Sequence, residues 1–282
     1  MKNADAPRIC RLLSISAAVL VLAGCRGGGG EPALTGHLKV FGDETGMTIV
    51  APIADSFRRK QPGVSVDVEE SSSLFAINYT RQGTVDVGVS TRRLSSSDEG
   101  LVARPIARDG LTMIVHAENP VSALSDAQIA GIFTGKITNW KDVGGRDAPI
   151  TVINHAEVRT TLGLFVDYLK LTTGDIKYAD IVISSDAEAV KRLSSKPDAV
   201  TYTSIAAALS AKADGKPLKL IGFGGIEPTV ENVAAGKVPI VYDVSLITKG
   251  EPDKLKKAFI DYASSPEVRD TLKRGNFAPP AA

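Results

Sequence analysis

The chain has 282 residues, 33 basic against 32 acidic side chains, a net charge of +1 at neutral pH and 43% hydrophobic residues. This near-neutral balance carries no basic stripe of the kind nucleic acid demands, which excludes a nucleic-acid partner. The composition is that of a globular protein large enough for a substantial core.

The first 24 residues read as a leader. Lys2, Arg8 and Arg11 precede the apolar run LLSISAAVLVLAG, which is well short of the ~20 residues a spanning helix needs. The run ends in Leu-Ala-Gly-Cys, and residues 26 to 36, RGGGGEPALTG, have the composition of a flexible tether. Of the two cysteines, Cys10 lies in the leader, so a chain starting at Cys25 has no disulfide and must gain its stability from burial.

From residue 37 onward, short β-rich runs alternate with helical patterns, the signature of an α/β protein with a largely parallel sheet. HLKVF predicts a strand. The spacing of Ile49, Ile53 and Phe57 predicts a helix over 48–60. VSVDVE is a second strand, SSLFAINYTRQG a helix stopped by Gly83, and VDVGVS a third strand.

LTMIVHA (111–117) is a fourth strand, followed by a helix from Ser125 to Phe133 with Ser125 and Gln128 as a capping box. TVIN and TYTSI are further strands, with helical patterns at 159–170 and 186–194 between them. The long alternating strand PIVYDVSLIT precedes two final helices in PDKLKKAFIDYAS and PEVRDTLKRG. So many alternating elements suggest two lobes, with crossings near 105–112 and 237–243 and a ligand between them, outside the carboxyl ends of the strands.

Four strand-to-helix junctions carry hydroxyls: Thr48 in GMTIVAP, Ser71 to Ser73, Ser90 with Thr91, and the stretch INHAEVRTTLGLF (153–165) with Arg159, Thr160 and Thr161. A helix start attracts anions through its free N–H groups and its dipole, and an arginine adds a fork suited to phosphate or carboxylate. Each junction alone is equally an ordinary N-cap. GIFTGK (131–136) is one residue short of a P-loop and has Ile137 where Ser or Thr must meet magnesium. His37, His116 and His155 lack metal-ligand spacing, and no Gly-x-Ser-x-Gly elbow occurs.

The order of these junctions resembles the phosphate-binding lipoproteins of ABC importers, members of the two-lobed periplasmic binding protein superfamily. The resemblance covers nearly all of residues 38 to 280. It rests on GMTIVAP, VDVGVSTRRL, LSDAQIAGIFTGKITNWKDVGG, DAVTYTSI and EPTVENVAAGKVPIVYDVSLITKGEP. It implies two Rossmann-like α/β lobes joined by two crossovers, the type II periplasmic binding protein fold, with residues 37–108 and 241–282 in one lobe and 109–240 in the other.

It also implies a lipid on Cys25 after cleavage of residues 1–24, with 25–36 as the tether. The protein would then be exported, anchored to the periplasmic or extracellular face of the bacterial envelope, and monomeric. An ABC permease and inorganic phosphate would be its partners, with no cofactor, no metal and no enzymatic activity. Receptors for another oxyanion, such as sulfate or a phosphorylated metabolite, and a non-transporting sensor of the same fold are the alternatives.

Carried over residue by residue, the resemblance places Thr48 and the amide of Ile49 at the first ligand contact and Ser72 or Ser73 at the second. Thr91 falls where relatives have an acidic acceptor or a serine. At the fourth junction the family pattern is Arg, three residues, then Ser-Gly-Thr with Phe four residues later. Here His155, Arg159, Thr160, Thr161 and Phe165 occupy those positions. Arg159 is expected to restore the lost guanidinium and so to keep the charge that offsets the ligand.

Overall fold

The computed structural model describes residues 33–156, 159–176 and 180–281. The leader, most of the tether and Cys25 lie outside them, so the expected cleavage and lipidation fall on residues that are not described.

The chain opens β1 (Gly36–Asp43), α1 (Glu44–Lys60), β2 (Val64–Ser71), α2 (Ser73–Gln82) and β3 (Val87–Ser90), followed by the long β4 (Leu101–His116). Next come α3 (Asp126–Phe133), β5 (Thr151–His155), α4 (Thr160–Tyr168), β6 (Ile181–Ile183), α5 (Asp186–Ser194), β7 (Ala199–Ser204) and α6 (Ile205–Ala213). The chain finishes with β8 (Leu218–Ile221), α7 (Val230–Ala234), β9 (Val241–Lys249), α8 (Lys254–Ala263) and α9 (Arg269–Arg274).

Among the described residues the strands join in the order β2-β1-β3-β9-β4-β7-β5-β6, with β8 also on β4. Pairing is parallel for β1 with β2 and β3, and for β5 with β6 and β7. It is antiparallel wherever β4 or β9 takes part, so the sheet is mixed, not largely parallel. β4 spans the middle: Leu101 to Gly110 pair with β9, and Leu111 onward with β7 and β8.

The core divides along the same line. Ile49, Ile53, Phe57, Val87, Val89, Leu246 and Phe259 pack together around the β1–β3 half. Met113, Phe133, Trp140, Phe165, Tyr202 and Phe223 form a second cluster, and Ile114, Ile153, Leu193 and Leu218 a third. Phe165 stacks on Tyr202 at 4.1 Å between ring centroids, and the Trp140 indole N–H donates to the Asp198 carbonyl at 2.9 Å.

Two departures from the sequence expectation have local causes. Helix α1 starts four residues before Thr48 because Asp43 is its N-cap, accepting from the Gly46 N–H at 2.9 Å. The helix then continues through Pro52, held by the burial of Met47, Ile49, Val50 and Ile53. The first part of β4, LVARPIARDG, carries charges, Pro105 and Gly110 and is not among the expected strands, which begin again at Leu111. It is nevertheless a strand, with a bulge between Pro105 and Ala107 that absorbs the proline. GIFTGK runs off the C-terminal end of α3, the opposite of the helix start a phosphate loop requires.

Asp109 lies where the two halves meet. Its carboxyl accepts from the Gly110 N–H at 2.7 Å, the Ala206 N–H at 3.2 Å and the Tyr242 hydroxyl at 3.1 Å, tying β4 and β9 to the start of α6. Burial pushes its pKa up from 3.8 to about 7, against the opposing pull of those hydrogen bonds. The folded protein therefore keeps a proton that the unfolded chain gives up between about pH 4 and 7. The stabilisation is complete below about pH 4 and is lost as the pH rises through 7. Asp109→Asn should flatten the fall in urea midpoint between about pH 4 and 8 relative to the unmodified protein; identical slopes would assign the titration to another group.

Candidate functional site

Three helix starts and one strand end converge on a small cavity. It is lined by Asp43 and Thr45 at the start of α1, Ser72 and Ser73 at the start of α2, Thr91 just past β3, and Arg159, Thr160 and Thr161 at the start of α4. Its free volume is about 10 Å³, on the scale of a single water molecule. Wider clefts of about 440 and 640 Å³ flank it, the first sharing Thr45 with it and the second Thr91 and Thr160.

The close approach of β1 to β3 determines how this convergence is built. Gly42 pairs with Val89, and a Cβ there would sit 2.3 Å from the Val89 Cβ, so only glycine lets the chain enter α1 at this point. The following residue, Asp43, is buried and acts as a hub. Besides capping α1, its Oδ2 accepts from the Ser73 hydroxyl, the Thr91 N–H at 2.7 Å and the Thr91 hydroxyl at 3.1 Å. Ser73 Oγ in turn accepts the Thr91 N–H at 3.1 Å and the Arg92 N–H at 3.4 Å.

Opposite this hub stands α4. Arg159 is its N-cap by position, with no side-chain capping bond. Its guanidinium donates to Glu44 Oε2 at 3.0 Å, and the two side chains are 9% and 14% exposed. Glu44 also accepts from the backbone N–H groups of Asp186 and Ala187, at 2.9 and 3.3 Å. Burial and the charge of Asp186 hold the Glu44 carboxyl above its ordinary pKa, although the Asp186 N–H, Arg159 and the Ala187 N–H pull it down. Thr161 is buried, and its hydroxyl is one of the few buried polar atoms without a partner among the described residues.

Of the residues expected from the sequence, Ser72, Ser73, Thr91, Arg159, Thr160 and Thr161 are brought together. Thr48 and Ile49 are not. Thr48 is exposed in the first turns of α1, with its hydroxyl on the Thr45 carbonyl at 2.7 Å, and it lines the 440 Å³ cleft instead. Ile49 is fully buried in the core of the β1–β3 half. Because the helix begins at Glu44, Thr45 takes the place expected of Thr48.

His155, at the position of the family arginine, is absent from the lining. Its Nε2–H donates to the Tyr202 carbonyl at 2.9 Å, and burial lowers its pKa. Asp43, Glu44 and Thr45 are the residues that sequence reasoning missed. The readable signal was Gly-Asp-Glu-Thr-Gly directly after a strand, an aspartate followed three residues later by a backbone that needs capping. The charge of Arg159 is balanced by Glu44, so the cavity relies on directed hydrogen bonds more than on net positive charge.

A family model described as a PBP superfamily domain matches residues 28–267. The chain belongs to the PBP superfamily. Among curated relatives, a Bacillus subtilis protein named phosphate-binding protein PstS is 26% identical over 281 residues, covering 94% of this chain and 91% of its own length. A solved Clostridium perfringens structure, described as a putative phosphate ABC transporter substrate-binding protein with bound phosphate, aligns with a TM-score of 0.78 at 26% identity. It covers 87% of this chain and all of its own. A Vibrio cholerae structure described as an ABC-type phosphate transport receptor aligns at 0.73 with 25% identity, covering 86% of this chain and all of its own.

Asp43→Ala removes a helix cap and leaves the Ser73 hydroxyl and the Thr91 N–H without their carboxylate. A loss of about 3 kcal/mol in unfolding free energy is expected in urea denaturation. A loss below about 1 kcal/mol would mean that the junctions hold together without this hub.

Proposed function

We propose that this protein is an extracytoplasmic solute-binding receptor that captures inorganic phosphate between two lobes and delivers it to an ABC permease. The observation that carries the reading is the convergence of three helix starts, six hydroxyl side chains and Arg159 on one small cavity. The relatives named for phosphate binding point the same way. Residues 37–108 and 241–282 form one lobe and 109–240 the other, with β4 and β9 as the crossings about which the cleft closes. The leader ends before Cys25, which carries the lipid, and the receptor works as a monomer at the outer face of the membrane. Its task is capture, not chemistry, so it has no enzymatic activity.

Selectivity follows from where the hydroxyl protons go. Ser73 donates to Asp43 and spends its lone pairs on the Thr91 and Arg92 N–H groups, whereas Thr91 donates its hydroxyl proton to Asp43 and keeps lone pairs for the cavity. Those lone pairs are satisfied by an oxyanion that carries its own proton, as phosphate and arsenate do near neutral pH, and they repel fully ionised sulfate. Donors come from the opposite wall: the α4 helix start, the unpartnered Thr161 hydroxyl and the Arg159 nitrogens not engaged with Glu44.

Isothermal titration with phosphate, arsenate and sulfate tests this. Phosphate and arsenate should bind and sulfate should not; binding of sulfate as tight as that of phosphate would favour a general oxyanion receptor. Arg159→Ala should weaken phosphate binding about 100-fold, or roughly 3 kcal/mol, and an unchanged affinity would remove the arginine from the site.

A further inference from the structure

Glu44 is the first residue of α1, where a glutamate normally faces water and complements the dipole of its own helix. Here it turns away from that role. Its two oxygens accept the Arg159 guanidinium at 3.0 Å and the Asp186 and Ala187 backbone N–H groups at 2.9 and 3.3 Å. The next residue, Thr45, repeats the crossing by donating to Asp186 Oδ2 at 3.3 Å.

All four contacts pass from the β1–β3 half to the other. α1 is packed in the core of the first half, while α5, which begins at Asp186, is packed against Ile114 and Ile153 in the second. The carboxylate therefore sits on the N-terminus of α5, beside an arginine, as a bound anion would.

An exposed surface ion pair contributes almost nothing to the position of a domain. This pair is different because both side chains are largely withdrawn from solvent, at 9% and 14% exposure, and two of the donors are backbone groups with no freedom to turn elsewhere. Breaking it leaves a guanidinium and two helix-start amides without an acceptor next to the cavity.

We propose that Glu44 is a resident latch: a carboxylate of the chain itself that holds the two lobes closed beside the oxyanion cavity and positions Arg159 for the ligand. None of its contacts depends on a ligand, so it raises the share of molecules already in the binding-competent arrangement. Apparent affinity rises in proportion to that share. The latch deepens the receptor reading above and rests on it for its effect on affinity, but its effect on closure does not depend on which anion binds.

The test compares the full chain with Glu44→Ala and with Glu44→Gln, the second keeping the shape and losing the charge. Hydrogen exchange of the segment 184–190 is followed without phosphate, and phosphate affinity is then measured by titration. In the unmodified protein the amides of Asp186 and Ala187 should be protected without phosphate. In Glu44→Ala they should exchange at least about tenfold faster while the strands of both halves keep their protection, and phosphate binding should weaken by about tenfold. Glu44→Gln should fall between the two.

Equal exchange at 186 and 187 in all three proteins would overturn the latch, as would unchanged phosphate affinity in Glu44→Ala. If phosphate failed to bind the unmodified protein, the receptor reading would fall. The exchange comparison without phosphate would still decide whether Glu44 holds the lobes.

Discussion

The Asp43 carboxylate joins three separate junctions into one wall of the site. It stops β1, starts α1 through the Gly46 N–H, and draws in Ser73 from α2 and Thr91 from the end of β3. A buried carboxylate is tolerated only where its oxygens are fully satisfied, and four donors from three segments achieve that here. The register is held by Gly42, whose missing side chain lets β1 lie against Val89 and delivers Asp43 within reach of Thr91. The positions of Ser73 and Thr91 in the cavity follow from this hub.

The second wall is assembled differently. α4 offers Arg159, Thr160 and Thr161 at its start, and Glu44 reaches across to fix the arginine. The charges around the cavity do not sum to a positive field, because Arg159 faces Glu44 and Asp43 adds a carboxylate held by neutral donors. Recognition in such a setting comes from preoriented hydrogen-bonding groups, which need no reorganisation when a ligand arrives. A field of net positive charge would attract every anion alike. A site without net positive charge, with donors on one wall and an acceptor on the other, would discriminate by the ligand's own protons.

The sequence carried the alternation of strands and helices, the capping box at Ser125, and the grouping of Ser72, Ser73, Thr91 and residues 159–161, because these depend on local chemistry and chain order. It concealed the start of α1. The run GMTIVAP matched the family pattern so well that Thr48 looked like the helix entry, while the stronger physical signal, Gly-Asp-Glu-Thr-Gly after a strand, lay four residues upstream. The polar first part of β4 was hidden because its partner β9 lies more than 130 residues away, and propensity does not report such pairing. α6 was missed too: its start reads as the end of the strand TYTSI, and Ser204 caps it in mid-run. Glu44 was invisible for a deeper reason. Its three donors lie more than 110 residues away, and no periodicity encodes a contact between segments so distant in the chain.

The polar atoms the fold leaves unsatisfied carry the last step. Most buried side-chain groups here find partners, yet the Thr161 hydroxyl has none, and it belongs to the cavity lining. Deep within a core, such an orphan would be a plain cost of about 1–3 kcal/mol. At a cavity walled by helix starts, the same cost is recovered when an anion enters and accepts the bond. The departures from the family pattern fall at this junction as well, where His155 has withdrawn to Tyr202 and Arg159 has come forward. The unmet bond at Thr161 and the guanidinium at position 159 lie at the same junction and support the same reading of the site.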